Sequence, residues 1–153
     1  MSSLIYLGVL LLLGCSLITT GHARLNPALR GIVQMNQQYK TALESDDKAS
    51  ILAMYVPDVL VLPEGYPGYV GKEKLGNNMN WISYVGTVEY DIKYLDFLNG
   101  NNVRVLELKT STVKDKQGNI MFKGKTLLFW AWNSKTGVWQ IMLEMFNSDQ
   151  KNQ

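Results

Sequence analysis

Residues 103–146 read VRVLELKTSTVKDKQGNIMFKGKTLLFWAWNSKTGVWQIMLEMF, and the fold turns on this stretch. Apolar-rich runs at Val103 to Lys114, Ile120 to Asn133 and Val138 to Phe146 are separated by Lys116-Gln117-Gly118-Asn119 and Ser134-Lys135-Thr136-Gly137. A fourth run, Thr87 to Leu98, precedes them and is set off by Asn99-Gly100-Asn101-Asn102. Each separator holds a glycine beside polar residues, and Gly and Asn tolerate the left-handed conformations of tight hairpins. A four-stranded antiparallel meander is expected. Its strands exceed the usual five or six residues, so the twisted sheet must coil.

Upstream the period changes. Leu29, Ile32, Val33, Tyr39 and Leu43 recur at helical spacing behind Pro27, with Asn36 on the same face, and Asp46-Asp47 supply a stop and a cap. A second, shorter helix is expected through Ile51, Leu52, Met54 and Tyr55, ending before Pro57. Val59 to Leu62 reads as a small strand entering a loop of Pro63-Glu64-Gly65 and Pro67-Gly68. After Gly71, the spacing of Leu75, Met79 and Ile82 predicts a third helix that includes Trp81. Helices first and strands second argue for one α+β domain, three N-terminal helices on a curved antiparallel sheet of four to six strands.

The residues Tyr39, Ala42, Asp46 or Asp47, Tyr55, Asp58, Pro63 and Gly65 come in that order, then Gly71 opening the third helix and Trp81 within it. The pattern closes with Gly137-x-Trp139-x-Ile141 and Asn147-Ser148. From Leu29 to Ser148 it resembles the nuclear transport factor 2-like, or SnoaL-like, superfamily, most closely its small members of unassigned function. The resemblance implies a cone whose mouth opens near the third helix, a pocket lined by helices and sheet, and a homodimer formed through the outer sheet face. Enzymatic relatives place a carboxylate or an Asp and His pair inside the cone, and many others carry His-x-His on the last strand. Leu143 and Met145 stand at those positions here, which weakens a hydrolase, dehydratase or metal-dependent reading.

The chain of 153 residues has a net charge of +2 and no basic run, so no nucleic-acid partner is expected. Leu4 to Leu17 is an apolar run without charge, followed by Gly21-His22-Ala23, which reads as a signal peptide over residues 1–23 cleaved near Ala23. An uncleaved anchor and a lipid-modified Cys15 are the rival readings; the run is short for a bilayer span and no Lys or Arg precedes it. A mature domain over residues 24–153 is then secreted and free of the membrane. Cys15 and His22 are the only residues of their kinds, so that domain would hold no disulfide, thiolate, Cys or His zinc site or His-based triad. Neither metal nor cofactor is expected.

Without histidine, proton transfer near neutral pH falls to groups with shifted pKa values, and Glu107, Tyr55 and Asp58 are the candidates. Glu107 and Glu144 stand in mid-strand among apolar neighbours. Strict alternation puts Trp139, Ile141, Leu143 and Met145 on one face and Glu144 on the other, and the resemblance implies that the first set faces inward and Glu144 outward. Leu106 and Leu108 form the more apolar face beside Glu107, which favours a solvated Glu107 as well. Tyr39, Tyr55, Trp81, Trp130 and Trp132 offer broad surfaces with a polar edge for a small apolar ligand, or fill a closed core. Asn36, a buried amide in need of partners, joins them. Asp46-Asp47 is explained by capping.

The expected function is binding of a small, mostly apolar ligand by Asn36, Tyr39, Tyr55, Trp81, Trp130, Trp132, Leu143 and Met145. A cofactor-free isomerase, cyclase or dehydratase using a pocket carboxylate and a homodimeric assembly module are the alternatives.

Overall fold

A computed structural model describes residues 26–98 and 103–149. The expected signal peptide with Cys15, His22 and Ala23 lies outside the described residues, as does the turn expected at 99–102. Helix α1 spans Pro27–Glu44, with the Asn26 side chain accepting from the Ala28 amide and proline in the first turn. Its buried stripe is Ala28, Ile32, Asn36 and Leu43, while Val33 points to solvent at 47% exposure. Helix α2 spans Lys48–Ala53 and is capped by Asp47, whose carboxylate accepts from the Ser50 amide.

The second helix stops sooner than its apolar spacing suggests, because Tyr55 opens strand β1, Tyr55–Pro63. Pro57 has no amide to give to a ladder, and the pairing of β1 is irregular between Tyr55 and Leu60, where the proline sits. A two-residue strand β2, Tyr69–Val70, pairs antiparallel with β1. The expected third helix is split into α3, Lys72–Asn77, and a 3-10 segment, Asn80–Tyr84. Asn78 ends α3, its backbone amide and side chain both reaching the Lys74 carbonyl, the competition with helix bonds typical of asparagine. Leu75, Met79 and Ile82 are still buried.

The meander follows as β3, Val85–Phe97, β4, Arg104–Asp115, β5, Ile120–Asn133, and β6, Val138–Ser148. Gly118 and Gly137 take φ of 90° and 69° in the turns, where a side chain would be strained. The six strands lie in the order β2-β1-β6-β5-β4-β3. The sheet is mixed rather than antiparallel throughout: β1 enters beside β6 and runs parallel to it.

Helix α1 lies against the inner face. Asn36 bonds to Glu107 on β4, Lys40 to the Val88 carbonyl on β3, and Glu44 accepts from the Val88 amide at 2.7 Å. A Cβ at Gly31 would stand 2.5 Å from Trp139 Nε1 on β6, so the helix approaches that closely only without a side chain there. The core beneath holds Ile32, Ile51, Tyr55, Val59, Val61, Ile82, Val105, Leu128, Trp130 and Ile141. No helix among the described residues is long and apolar enough to cross a membrane.

Candidate functional site

The last strand does not keep its alternation. Trp130 pairs with Ile141 but Phe129 pairs with Leu143, so Met142 is an extra residue in a bulge. One slipped residue exchanges the two faces of everything that follows. Glu144 and Phe146 therefore turn inward, and Leu143 and Met145, expected inside, lie on the outer face, Met145 at 43% exposure. Strand β4 is inverted relative to expectation too: Val105, Glu107 and Lys109 are buried while Leu106 and Leu108 are only partly so. Glu107 is 0% exposed, not solvated.

Registers align these residues in layers across the inner face. Glu107 lies opposite Leu128, which lies opposite Glu144; the next layer holds Lys109, Thr126 and Phe146, and the next Tyr90, Ser111 and Gly124. Above the last two layers, beneath α1, is a cavity of about 290 Å³. Its walls are mostly apolar and aromatic, with Val88, Val113, Met121, Phe122 and Phe146 among them.

Its polar side is two connected chains. In the first, Glu107 Oε2 accepts from Asn36 Nδ2 at 2.9 Å and from Trp130 Nε1 at 2.7 Å. Asn36 Oδ1 accepts from Lys109 Nζ at 2.7 Å. The amide thus presents its oxygen to the amine and its nitrogen to the carboxylate. Glu107 Oε1 is buried without a hydrogen-bond partner, and Lys109 Nζ is 3.8 Å from it, an ion-pair distance rather than a hydrogen bond. The amine also lies 5.2 Å from the Tyr39 ring centre and 5.7 Å from that of Tyr90, within cation–π range. Burial pulls the Lys109 pKa below the ordinary lysine value, against the opposing pull of Glu107 and Glu144.

In the second chain, Tyr55 donates to Glu144 Oε2 at 2.7 Å, and the Tyr39 and Tyr55 hydroxyls are 3.1 Å apart. Burial raises the Glu144 carboxyl above the usual carboxylate range, with the Tyr55 hydrogen bond and the Lys109 charge pulling the other way. Burial and the neighbouring Glu144 charge hold both tyrosines well above the usual phenol value. The cavity wall therefore joins an amine, a carboxyl able to hold its proton and a phenol, the equipment of acid–base chemistry and of polar-group recognition alike.

Asn36, Tyr39 and Trp81 line the cavity as expected from sequence, Trp81 being 40% exposed. Tyr55 stands behind Tyr39, and Glu107 behind Asn36 and Lys109. Trp130 is fully buried and serves Glu107. Trp132 packs on Trp139 at a ring distance of 5.5 Å and is 40% exposed, away from the cavity lining. Asp58 is exposed on β1 and takes no part. Sequence reasoning missed Lys109, and Glu144 was placed on the wrong face. The available signal for Lys109 was its sharing of a strand face with Glu107, two opposite charges in one alternating set. Among the described residues no group of three or more His, Cys, Asp or Glu is arranged to hold a metal ion.

No family model matches the chain, and no curated protein is significantly similar to it in sequence. Solved structures are similar in fold. A ketosteroid isomerase-like protein from Erwinia carotovora atroseptica superposes with a TM-score of 0.67 at 22% identity, covering 82% of this chain and 99% of that one. A nuclear transport factor 2-like protein of unknown function from Shewanella oneidensis gives 0.65 at 14% identity, over 77% and 97%. A hexachlorocyclohexane dehydrochlorinase from Novosphingobium barchaimii gives 0.58 at 14% identity, over 80% and 87%. The chain has the nuclear transport factor 2-like fold.

Proposed function

We propose that this protein binds a small, largely apolar molecule in the cavity beneath α1, with the molecule's polar group against Lys109, Glu144 and Tyr39. The observation that carries the reading is the cavity itself: about 290 Å³ of space with mostly apolar walls and a few convergent polar groups on one side, the usual build of a small-molecule site. Native mass spectrometry of the folded protein tests it. Extra mass that is lost on denaturation is the expected result. A bare polypeptide mass, together with no mass increase after exposure to a panel of small ketones, phenols and sterols, would overturn it.

A second reading is a cofactor-free isomerase or dehydratase, and Glu144 favours it. A carboxyl whose pKa is raised by burial while a phenol holds it in place can take a proton from carbon and return it elsewhere. The isomerase-like and dehydrochlorinase structures of this fold are in keeping with that reading. Glu144, rather than Glu107, Tyr55 or Asp58, is then the group in reach of substrate. Export through an N-terminal signal peptide and pairing of two copies through the outer sheet face belong to the same proposal. On that face the apolar Leu106, Leu108, Leu127, Phe129, Leu143 and Met145 sit on three neighbouring strands.

A further inference from the structure

Lys109 has an unfinished set of contacts. Its side chain is 8% exposed, it lines the cavity, and its single hydrogen bond goes to Asn36 Oδ1. An ammonium buried this deeply would ordinarily use all three donors. Glu107 Oε1 at 3.8 Å is too far to accept one, and the Tyr39 and Tyr90 rings offer only their faces. Unlike Lys93 and Lys125, whose side chains are half exposed and paired with Asp91 and Asp149, Lys109 presents its nitrogen to a mostly apolar cavity.

We propose that Lys109 is a nucleophilic amine that captures the carbonyl carbon of an apolar aldehyde or ketone as a reversible Schiff base. The proposal rests on the cavity being a ligand site and adds the chemical class of the ligand. In the neutral amine the nitrogen lone pair forms a bond to the carbonyl carbon, and the carbonyl π pair moves onto oxygen, which takes a proton. The nitrogen gives up one proton, for which Glu107 Oε1, buried and unpartnered, is the nearest base. The carbinolamine then loses its oxygen as water, the second proton coming from the cavity wall, where Glu144 stands, and the protonated imine left behind returns its remaining nitrogen proton to that carboxylate. The sum is amine plus carbonyl giving imine plus water, with nothing oxidised or reduced, and hydrolysis reverses it. Asn36 fixes the amine from one side, and Val113, Phe122 and Phe146 suit an apolar body attached to the carbonyl. Desolvation, which favours the uncharged amine and the protonated carboxyl, works in the same direction.

The test is trapping. The whole protein is incubated with cinnamaldehyde or cyclohexanone and sodium cyanoborohydride, which reduces an imine to a stable secondary amine. Intact mass and peptide mapping then locate the adduct, heavier by the carbonyl compound less one oxygen atom. The expected result is labelling concentrated at Lys109, saturable, and far ahead of the exposed Lys93 and Lys125. Lys109→Arg abolishes that site while keeping the cation, and Ser111→Trp, which places an indole in the cavity and leaves Lys109 itself unchanged, suppresses it. Labelling confined to exposed lysines overturns the proposal. If the same compounds still bind without covalent trapping, by fluorescence or native mass, Lys109 is a spectator and the ligand site stands; if neither binding nor trapping occurs, both readings fall.

Discussion

Glu107, Asn36, Lys109 and Trp130 form a buried polar unit in which each member satisfies another. Truncating one partner of such a unit leaves a charge without compensation. Glu107→Ala is expected to cost about 3–5 kcal/mol in urea unfolding, since it strands the Lys109 charge and the Trp130 donor. Asn36→Ala should cost about 1–3 kcal/mol. Glu144 makes a separate, pH-dependent contribution. Its folded pKa lies above the reference 4.5, so the stability it contributes is complete below that value and is lost as pH rises through the folded pKa. Wild-type stability relative to Glu144→Gln should therefore fall as pH rises from 4.5 through the raised folded pKa, read as the difference between two urea midpoint curves. Tyr55→Phe removes the hydrogen bond that lowers this pKa, and should move the Glu144 carboxyl titration further up in an NMR measurement. Asn36 was legible in sequence, because a polar residue on an apolar helix stripe stands out. Lys109 was not: alternation sorts a strand into two faces without saying which is inside, and on β4 the face richer in leucine is the outer one.

The elements themselves were largely written in local pattern. Periodicity and turn residues located α1, α2 and the four long strands. What they missed depends on partners. Asn78 broke the third helix through side-chain competition for backbone groups, and the strand β1 extended back to Tyr55 because the edge of β6 was there to receive it. The bulge at Met142 is a two-strand property that no single strand announces, and it alone decides whether Glu144 or Leu143 sees the cavity. Deleting Met142 removes the extra residue while leaving Leu143 opposite Phe129, so the variant should fold with Glu144 still inward, at a cost below about 3 kcal/mol. Deleting Leu127, in the regular part of β5, exchanges the faces of half a central strand and should prevent folding; circular dichroism separates the two. Gly31→Ala pits two effects against each other. Alanine gains about 1 kcal/mol of helix propensity, but its Cβ would stand 2.5 Å from the buried Trp139 ring. The clash should win, giving a net loss of about 1–3 kcal/mol in thermal or urea unfolding.

At the scale of the molecule, a long-stranded sheet around a helix leaves a concave side with unfilled space and a convex side with too much apolar surface. The first consequence is the cavity and the second is the proposed dimer. Leu143→Lys, on the outer face next to Phe129 and Leu60, should convert a dimer to a monomer in sedimentation velocity without unfolding it, and a wild-type monomer at high micromolar concentration would remove the dimer from the account. The order of helices and strands made the fold readable before the structure. The cavity was readable only as a possibility of that fold, since whether aromatics fill a cone or line it depends on a few ångströms of helix placement. The most direct test of the ligand-binding claim is a titration of the protein with anilinonaphthalene sulfonate, a polarity-sensitive apolar fluorophore, in wild type and in Ser111→Trp. Ser111 lines the cavity on β4, so an indole there is expected to occupy that space. The account predicts saturable, one-to-one fluorescence enhancement in wild type, lost in the variant while its circular dichroism is unchanged. Equal enhancement in both proteins, or none in either, would contradict it.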